Sequence, residues 1–504
     1  MLKRISPGIL LLLASLLITV MLGEGSFRVL LWAQNGFSTD PVYKELKQKS
    51  RAAGVSSETF NIYYFGGSSM QGEPYPPSLS IPALVSYLFD GKLLDKPIRS
   101  VNLAGSGRDI EYNLIRMQTI AEHPTAFHPS LFVVYSGHNE FLKYERPYSS
   151  PPVVTLARYS KLVEFMMRAL DRYDLTIDDR RLFDEPLMND AQFNSVLDAY
   201  GGTVTSMVEA AKSIDIPILL STVAGNYADW QPNRSSSCRR EEDHPELIRL
   251  MEAATEAERA EDLRLAAQYY AKAVDLCPGF AEAIFRQARL YRRLGQNDEA
   301  WKLFQKAVDS DGMPLRASSR QNDFIRGLPA NSHLILIDVV QGLRAQTPDG
   351  LIGDNLMIDG HHPNLSGYLE IAKMFARGVH DHFGVTGNLR EPTAAEVAEQ
   401  LGFDGSAQLA VLVSRGRWMT RMATWRYDPA ERFARARDNF MKASRIDPDS
   451  YKPDLGLAII AFLQKDPAQA EAHLARARQK DKREVDKYLK ISWIRRVLAR
   501  AYQR

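Results

Sequence analysis

The chain has 504 residues, 45% of them hydrophobic and 25% charged, with 63 basic against 61 acidic residues and a net charge of +2. That is ordinary globular composition, enough for about two to four domains. The near balance of charge speaks against a nucleic-acid-binding chain, and no dense basic stripe precedes residue 476.

Lys3 and Arg4 precede an apolar run from Ile9 to Leu22, short of the roughly 20 residues of a spanning helix unless Ile5 to Gly23 is counted. Residues 1–23 therefore read as a signal anchor that holds the rest of the chain outside the cytoplasmic membrane. A cleaved signal peptide is the competing reading, with Gly23-Glu24-Gly25 the nearest candidate cleavage site. This predicts a single-pass protein of the inner membrane with its bulk on the periplasmic side. Residues 24–58 form a membrane-proximal linker with a short helix.

From residue 59 strands and helices alternate. Short apolar runs at 61–65, 98–103, 131–135, 216–223 and 334–339 predict five strands. Helical stretches fall at 79–90, 108–121, 191–213, 320–328 and 366–384. This pattern predicts an α/β fold, a three-layer parallel sheet with both faces covered. The sheet domain is split into 59–228 and 313–390.

The interruption contains a repeat. Ala266, Tyr270, Ala273 and Asp275 recur as Ala300, Phe304, Ala307 and Asp309, each 34 residues on. Small residues where helices touch, aromatics in the next gap and a period of 34 match a tetratricopeptide helix pair. Ala436, Phe440, Ala443 and Asp447 recur in the same way as Ala470, Leu474, Ala477 and Asp481. Two all-α units follow, an insert at 229–312 and a C-terminal domain at 391–504. Each has too few repeats to stand alone and is expected to pack on another element. The insert leaves at the carboxyl end of the fourth strand, so residues 230–312 are expected beside the substrate cleft. A plain surface appendage is the competing reading.

Four polar clusters follow strand ends. Gly66-Gly67-Ser68-Ser69 follows the first strand, and a serine on such a turn has its hydroxyl pushed out of the sheet. Gly105, in Asn102-Leu-Ala-Gly-Ser-Gly107, follows the second strand and can aim a backbone N–H at developing negative charge. Gly137-His138-Asn139-Glu140 follows the third, where Asn139 can donate to the same oxyanion. Asp359-Gly-His361-His362-Pro363 follows the fifth, and an Asp three residues before a His can hold its tautomer. Parallel sheets place their sites at this edge.

These four blocks resemble those of the SGNH (GDSL-like) hydrolase family, in bacterial members that combine the domain with tetratricopeptide repeats. The resemblance covers residues 60–140 and 330–385. Gly67 stands where many members carry Asp. The resemblance implies an SGNH/flavodoxin-like fold and a serine esterase in which Ser68 is the nucleophile, His362 the base and Asp359 its orienting acid. Ser68 and Gly105 backbone N–H groups and the Asn139 side chain would form the oxyanion hole. No metal or cofactor is required, and O-acyl groups of envelope carbohydrate are one substrate class to consider. Ser69 and His361 are the alternative nucleophile and base, and His138 and Glu140 border the site, either holding the loop or acting directly. Trp418, Trp425 and Trp493 read as core residues, with a sugar-stacking platform as the competing reading. An acyltransferase on the same site, and a repeat scaffold with a vestigial hydrolase domain, are the competing functions, and the repeats imply a protein partner. Cys238 and Cys277 show no zinc spacing, and whether they pair is left open. The Lys/Arg-rich tail at 476–504 has the spacing of a solvated helix face, with an anionic membrane surface as the alternative.

Overall fold

The structure is a computed structural model that describes residues 41–142, 189–235, 238, 240–423 and 429–490. The anchor at 1–23, Trp425, Trp493 and the end of the basic tail lie outside the described residues. Among the described residues no helix is long and apolar enough to cross a membrane.

The chain enters through helix α1 (Pro41–Ala53) and builds a six-stranded sheet. Its strands are β1 (Phe60–Gly66), β2 (Lys92–Leu93), β3 (Lys96–Asn102), β4 (Leu131–Tyr135), β5 (Ile218–Ser221) and β6 (Leu334–Ile337), in spatial order β2-β3-β1-β4-β5-β6. All neighbours pair in parallel except β2, which runs antiparallel to β3. The parallel part reads 2-1-3-4-5, the flavodoxin-like order, whose switch point lies at the carboxyl end of β1.

Strand β1 shows why both faces are covered. Its seven residues are all buried. Ile62 and Tyr64 point into one apolar layer, with Ile98, Val133 and Tyr135. Tyr63 and Phe65 point into the other, with Val101, Phe132 and Val134. Period-2 alternation thus serves two cores at once. The first layer is covered by α3 (Ile81–Leu88) and α13 (Leu365–His382), the second by α1, α4 (Ile110–Glu122) and α6 (Asp190–Ser213).

Two elements differ from expectation. The two-residue β2 is too short to show a period. The fifth predicted strand stops at Ile337, because Asp338 accepts the N–H of Gln341 and caps helix α12 (Val339–Ala345).

The insert forms helices α7 (His244–Arg259), α8 (Leu263–Leu276), α9 (Ala281–Arg293) and α10 (Asn297–Asp309), joined by short turns. Ala266, Tyr270, Ala273, Ala300, Phe304 and Ala307 are all buried in it. Trp301 packs on Tyr227 with ring centroids 4.7 Å apart, and Arg344 lies 4.3 Å over the Trp301 ring, so the insert sits against the β6 end of the sheet domain. A disulfide joins Cys238, on the entry loop, to Cys277, between α8 and α9.

The C-terminal part forms α14 (Ala394–Gln400), α15 (Gly405–Ala423), α16 (Ala430–Ile446), α17 (Tyr451–Leu463) and α18 (Pro467–Leu489). Ala436, Phe440, Ala443, Ala470 and Ala477 are buried, while Leu474 is only partly so. Val413, Met419 and Phe433 share a cluster with Trp230 and Leu315, at the two ends of the insert. Arg432, 1% exposed, donates to Gln231 O, Asn233 Oδ1 and Met422 O and lies 4.1 Å over the Trp230 ring. Both helical groups therefore pack on the sheet domain, and Arg289 of the insert reaches Glu431 of the C-terminal group at 3.0 Å.

Candidate active site

Strand β1 delivers the first residue. A Cβ on Gly66 would stand 2.3 Å from the Tyr135 carbonyl oxygen, so only glycine lets β1 and β4 close at this point. Gly67 then starts the single helical turn Ser68–Gln71 (α2). Ser68 heads that turn, 5% exposed, with its backbone N–H beyond the reach of any earlier helical carbonyl.

The histidine loop meets it from the far side of the chain. It lies beyond α12 and a further loop rather than directly at the end of β6. Asp359 shapes it, since Oδ1 accepts the backbone N–H groups of His361 and His362, both at 2.9 Å. Asn364 then accepts the N–H of Gly367 and starts α13. With the backbone fixed, Asp359 Oδ2 lies 2.7 Å from His362 Nδ1 and His362 Nε2 lies 2.8 Å from Ser68 Oγ. The three side chains form one continuous hydrogen-bonded relay, and all are buried.

The electrostatics follow from this pairing. Burial alone would raise the Asp359 pKa, but the His362 charge and ring hydrogen bond outweigh it and hold the carboxyl well below its usual range. Burial alone would lower the His362 pKa, and Asp359 reverses it, leaving His362 above its ordinary 6.5. Asp359 is thus an acceptor that fixes the proton on Nδ1 and leaves Nε2 facing the serine.

The neighbours sort by what they already hold. Ser69 Oγ donates to His361 O at 2.9 Å and ties the two loops together. His138 Nδ1 accepts the N–H of Ala317 at 3.0 Å, and burial together with the His362 charge pushes its pKa down to about 3, so it is neutral. Glu140 accepts the N–H of Ile110 at 3.1 Å, at the start of α4. His361 is packed between His138 and His362, with centroids 5.2 and 4.1 Å away. Donor atoms of Asp359, His361 and His362 lie within 4.8 Å of one another, close enough for a metal, but both His362 nitrogens already face Asp359 and Ser68.

The expected oxyanion donors are placed unequally. Asn139 Nδ2 donates one hydrogen to Arg108 O at 2.8 Å and keeps a second. It lies where a Cβ on residue 67 would stand, 2.4 Å from that position. This explains why residue 67 is glycine here, since a larger residue would push the amide away. Gly105 departs from expectation, because its N–H is donated to the Gly66 carbonyl at 3.2 Å and holds β3's end to β1's instead of standing free.

Residues that sequence reasoning missed come from both helical units. Trp230 packs on the histidine loop, its Nε1 2.6 Å from where a Gly360 Cβ would stand. Trp418, expected in a core, packs partly buried on the apolar cluster of Val413, Met419 and Phe433, and its ring also stands nearly perpendicular to those of His361 and His362, with centroids 5.9 and 6.5 Å away. Its helix carries Arg415 one turn earlier, where burial lowers the arginine pKa against the opposing influence of Asp354 and Asp359. No local pattern marks these residues, since their partners lie over 50 positions away.

No protein-family model matches the chain, and no curated protein does. Among solved structures, it is similar to a GDSL-like lipase from Bacteroides thetaiotaomicron at 13% identity, over 67% of this chain and 97% of the lipase, with a TM-score of 0.28. It is also similar to YrrB, a tetratricopeptide protein with an unusual peptide-binding site, at 14% identity over 50% of this chain and 94% of that one, with a TM-score of 0.15. At these values neither likeness carries an argument, and the chemistry rests on the geometry of the site itself.

Proposed function

We propose that the chain is a serine esterase acting on an acyl ester. The observation that carries this is the unbroken relay from Asp359 through His362 to Ser68, at 2.7 and 2.8 Å. His362 Nε2 takes the Ser68 proton as Oγ attacks the ester carbonyl, and Asp359 stabilises the imidazolium that forms. The Ser68 N–H and the second Asn139 hydrogen face the developing oxyanion, each donor being worth on the order of 10² to 10³ in rate. His362 returns its proton to the leaving alcohol. A hydroxyl compound then attacks the acyl-Ser68 ester, its proton passing to His362, and Ser68 is regenerated.

Transfer to an acceptor hydroxyl other than water uses the same steps and is the second reading. Anchoring at 1–23, a periplasmic location and O-acyl carbohydrate as substrate belong to this proposal, as does a protein partner for the repeats. The Cys238–Cys277 disulfide supports the location, because such bonds persist in oxidising compartments. The test compares the protein with Ser68→Ala on acetyl and longer acyl aryl esters. The expected loss is on the order of 10⁴ or more in kcat, and equal rates would overturn the assignment.

A further inference from the structure

Helix α15 belongs to the C-terminal unit, yet two of its side chains border the relay. Arg415 and Trp418 are three positions apart and so share one helix face. Each carries a buried N–H with no acceptor among the described residues, Nε of Arg415 and Nε1 of Trp418. Buried donors in native structures are almost always paired, so two such donors on one helix face call for an acceptor that the described residues do not supply.

The carboxylates nearest Arg415 are already engaged. Asp359 is held by His362 at 2.7 Å, and Asp354 is held by Arg435 at 2.8 Å. Both tend to hold the proton on Arg415, but burial outweighs them and pushes its pKa below the usual arginine range. A partly buried guanidinium with no ion-pair partner among the described residues gains from an anion that joins it. Trp418 meanwhile stands nearly perpendicular to the rings of His361 and His362, with centroids 5.9 and 6.5 Å away, so this face of α15 lies beside the base of the relay.

We propose that Arg415 and Trp418 form an anion-binding subsite of the active site, and that the ester accepted there carries a carboxylate. The ester part of this statement rests on the Ser68 reading above. One guanidinium balances one negative charge, and its flat fork matches a carboxylate. Arg415 acts as a specificity determinant and Trp418 as its second donor. The C-terminal helices thereby complete the substrate site.

The test uses the full chain and two esters with the same acyl group, 4-acetoxybenzoate and its neutral methyl ester. The wild type is expected to favour the carboxylate in kcat/KM, and the acid-to-methyl ratio is expected to fall on the order of 10- to 100-fold in Arg415→Gln, the range of a hydrogen bond to a charged group. Arg415→Lys should recover part of that ratio, and Trp418→Phe should lower it less than Arg415→Gln. A second arm measures binding of the same two compounds to Ser68→Ala by calorimetry, with and without Arg415→Gln. Tighter binding of the acid that disappears with Arg415 supports the subsite even where wild type cleaves neither ester, an outcome that sinks the Ser68 reading alone. Equal ratios in wild type and Arg415→Gln, or equal binding of acid and methyl ester by Ser68→Ala, would overturn the subsite.

Discussion

The two helical units carry the same 34-residue signature, yet they meet the sheet domain differently. The insert turns its helices toward the β6 end, where Trp301 packs on Tyr227 and Arg292 pairs with Asp229 and Asp349 at 3.1 and 2.9 Å. Among the described residues the insert reaches the candidate site at its entry through Trp230, and Ala317, just past its end, donates to His138. The C-terminal unit instead lays α15 over the catalytic loop, with Arg432 of the next helix gripping the entry stem. The repeat pattern therefore specifies how helices pack on one another and says nothing about which unit faces the chemistry. That is decided by residues outside the repeat, such as Arg415 and Trp418. The expectation that residues 230–312 stand beside the cleft fits Trp230 at the entry and not the helices.

Three perturbations would break or sharpen this contrast. The yardstick for both units is the loss of the relay itself. Asp359→Asn should lower kcat on the order of 10⁴. It should also move the pH profile. The base must be neutral to accept a proton, so kcat/KM rises with pH through the His362 pKa, which Asp359 holds above 6.5. Removing the carboxylate leaves burial, which lowers that pKa, opposed by the smaller influence of Glu73, so the rising limb should shift to lower pH. A limb that stays in place would mean Asp359 does not set the His362 pKa. The second perturbation acts through the C-terminal unit. Arg432→Ala leaves three carbonyl or amide acceptors unpaired and should cost about 3 kcal/mol or more in denaturant-induced unfolding. Ester turnover should fall with it, because α15 loses its support. The third acts through the insert. Cys238→Ser with Cys277→Ser opens a loop spanning 39 positions and should cost about 2–4 kcal/mol of stability. Turnover well below the melting temperature should change less than twofold. A larger loss there than in Arg432→Ala would reverse the contrast between the units.

Much of the sheet was legible from local pattern, because β1 and β4 are continuous apolar runs flanked by glycine and polar turns. The helical repeats were legible because Ala266, Tyr270 and Ala273 return at a fixed interval. The relay was legible as an order of blocks along the chain, since Asp359 and His362 lie three apart and Ser68 follows a strand. What was not legible depends on long-range contact. Gly67 is explained only by the Asn139 amide that occupies the space of its missing side chain. Gly105 has the sequence of an oxyanion donor, but its N–H is consumed by Gly66 once β1 and β3 align. Trp418 has no periodic signal to separate a core residue from a wall of the site, and its neighbours His361 and His362 lie in another unit.

The most direct measurement of the central claim is covalent labelling with a fluorophosphonate, a reagent that reacts preferentially with a serine activated by its base. Wild type should gain the mass of one adduct, and peptide mapping should place it on Ser68. His362→Ala should label far more slowly, and Ser68→Ala not at all at this peptide. Adduct formation on Ser69, or equal labelling of Ser68 with and without His362, would contradict the relay.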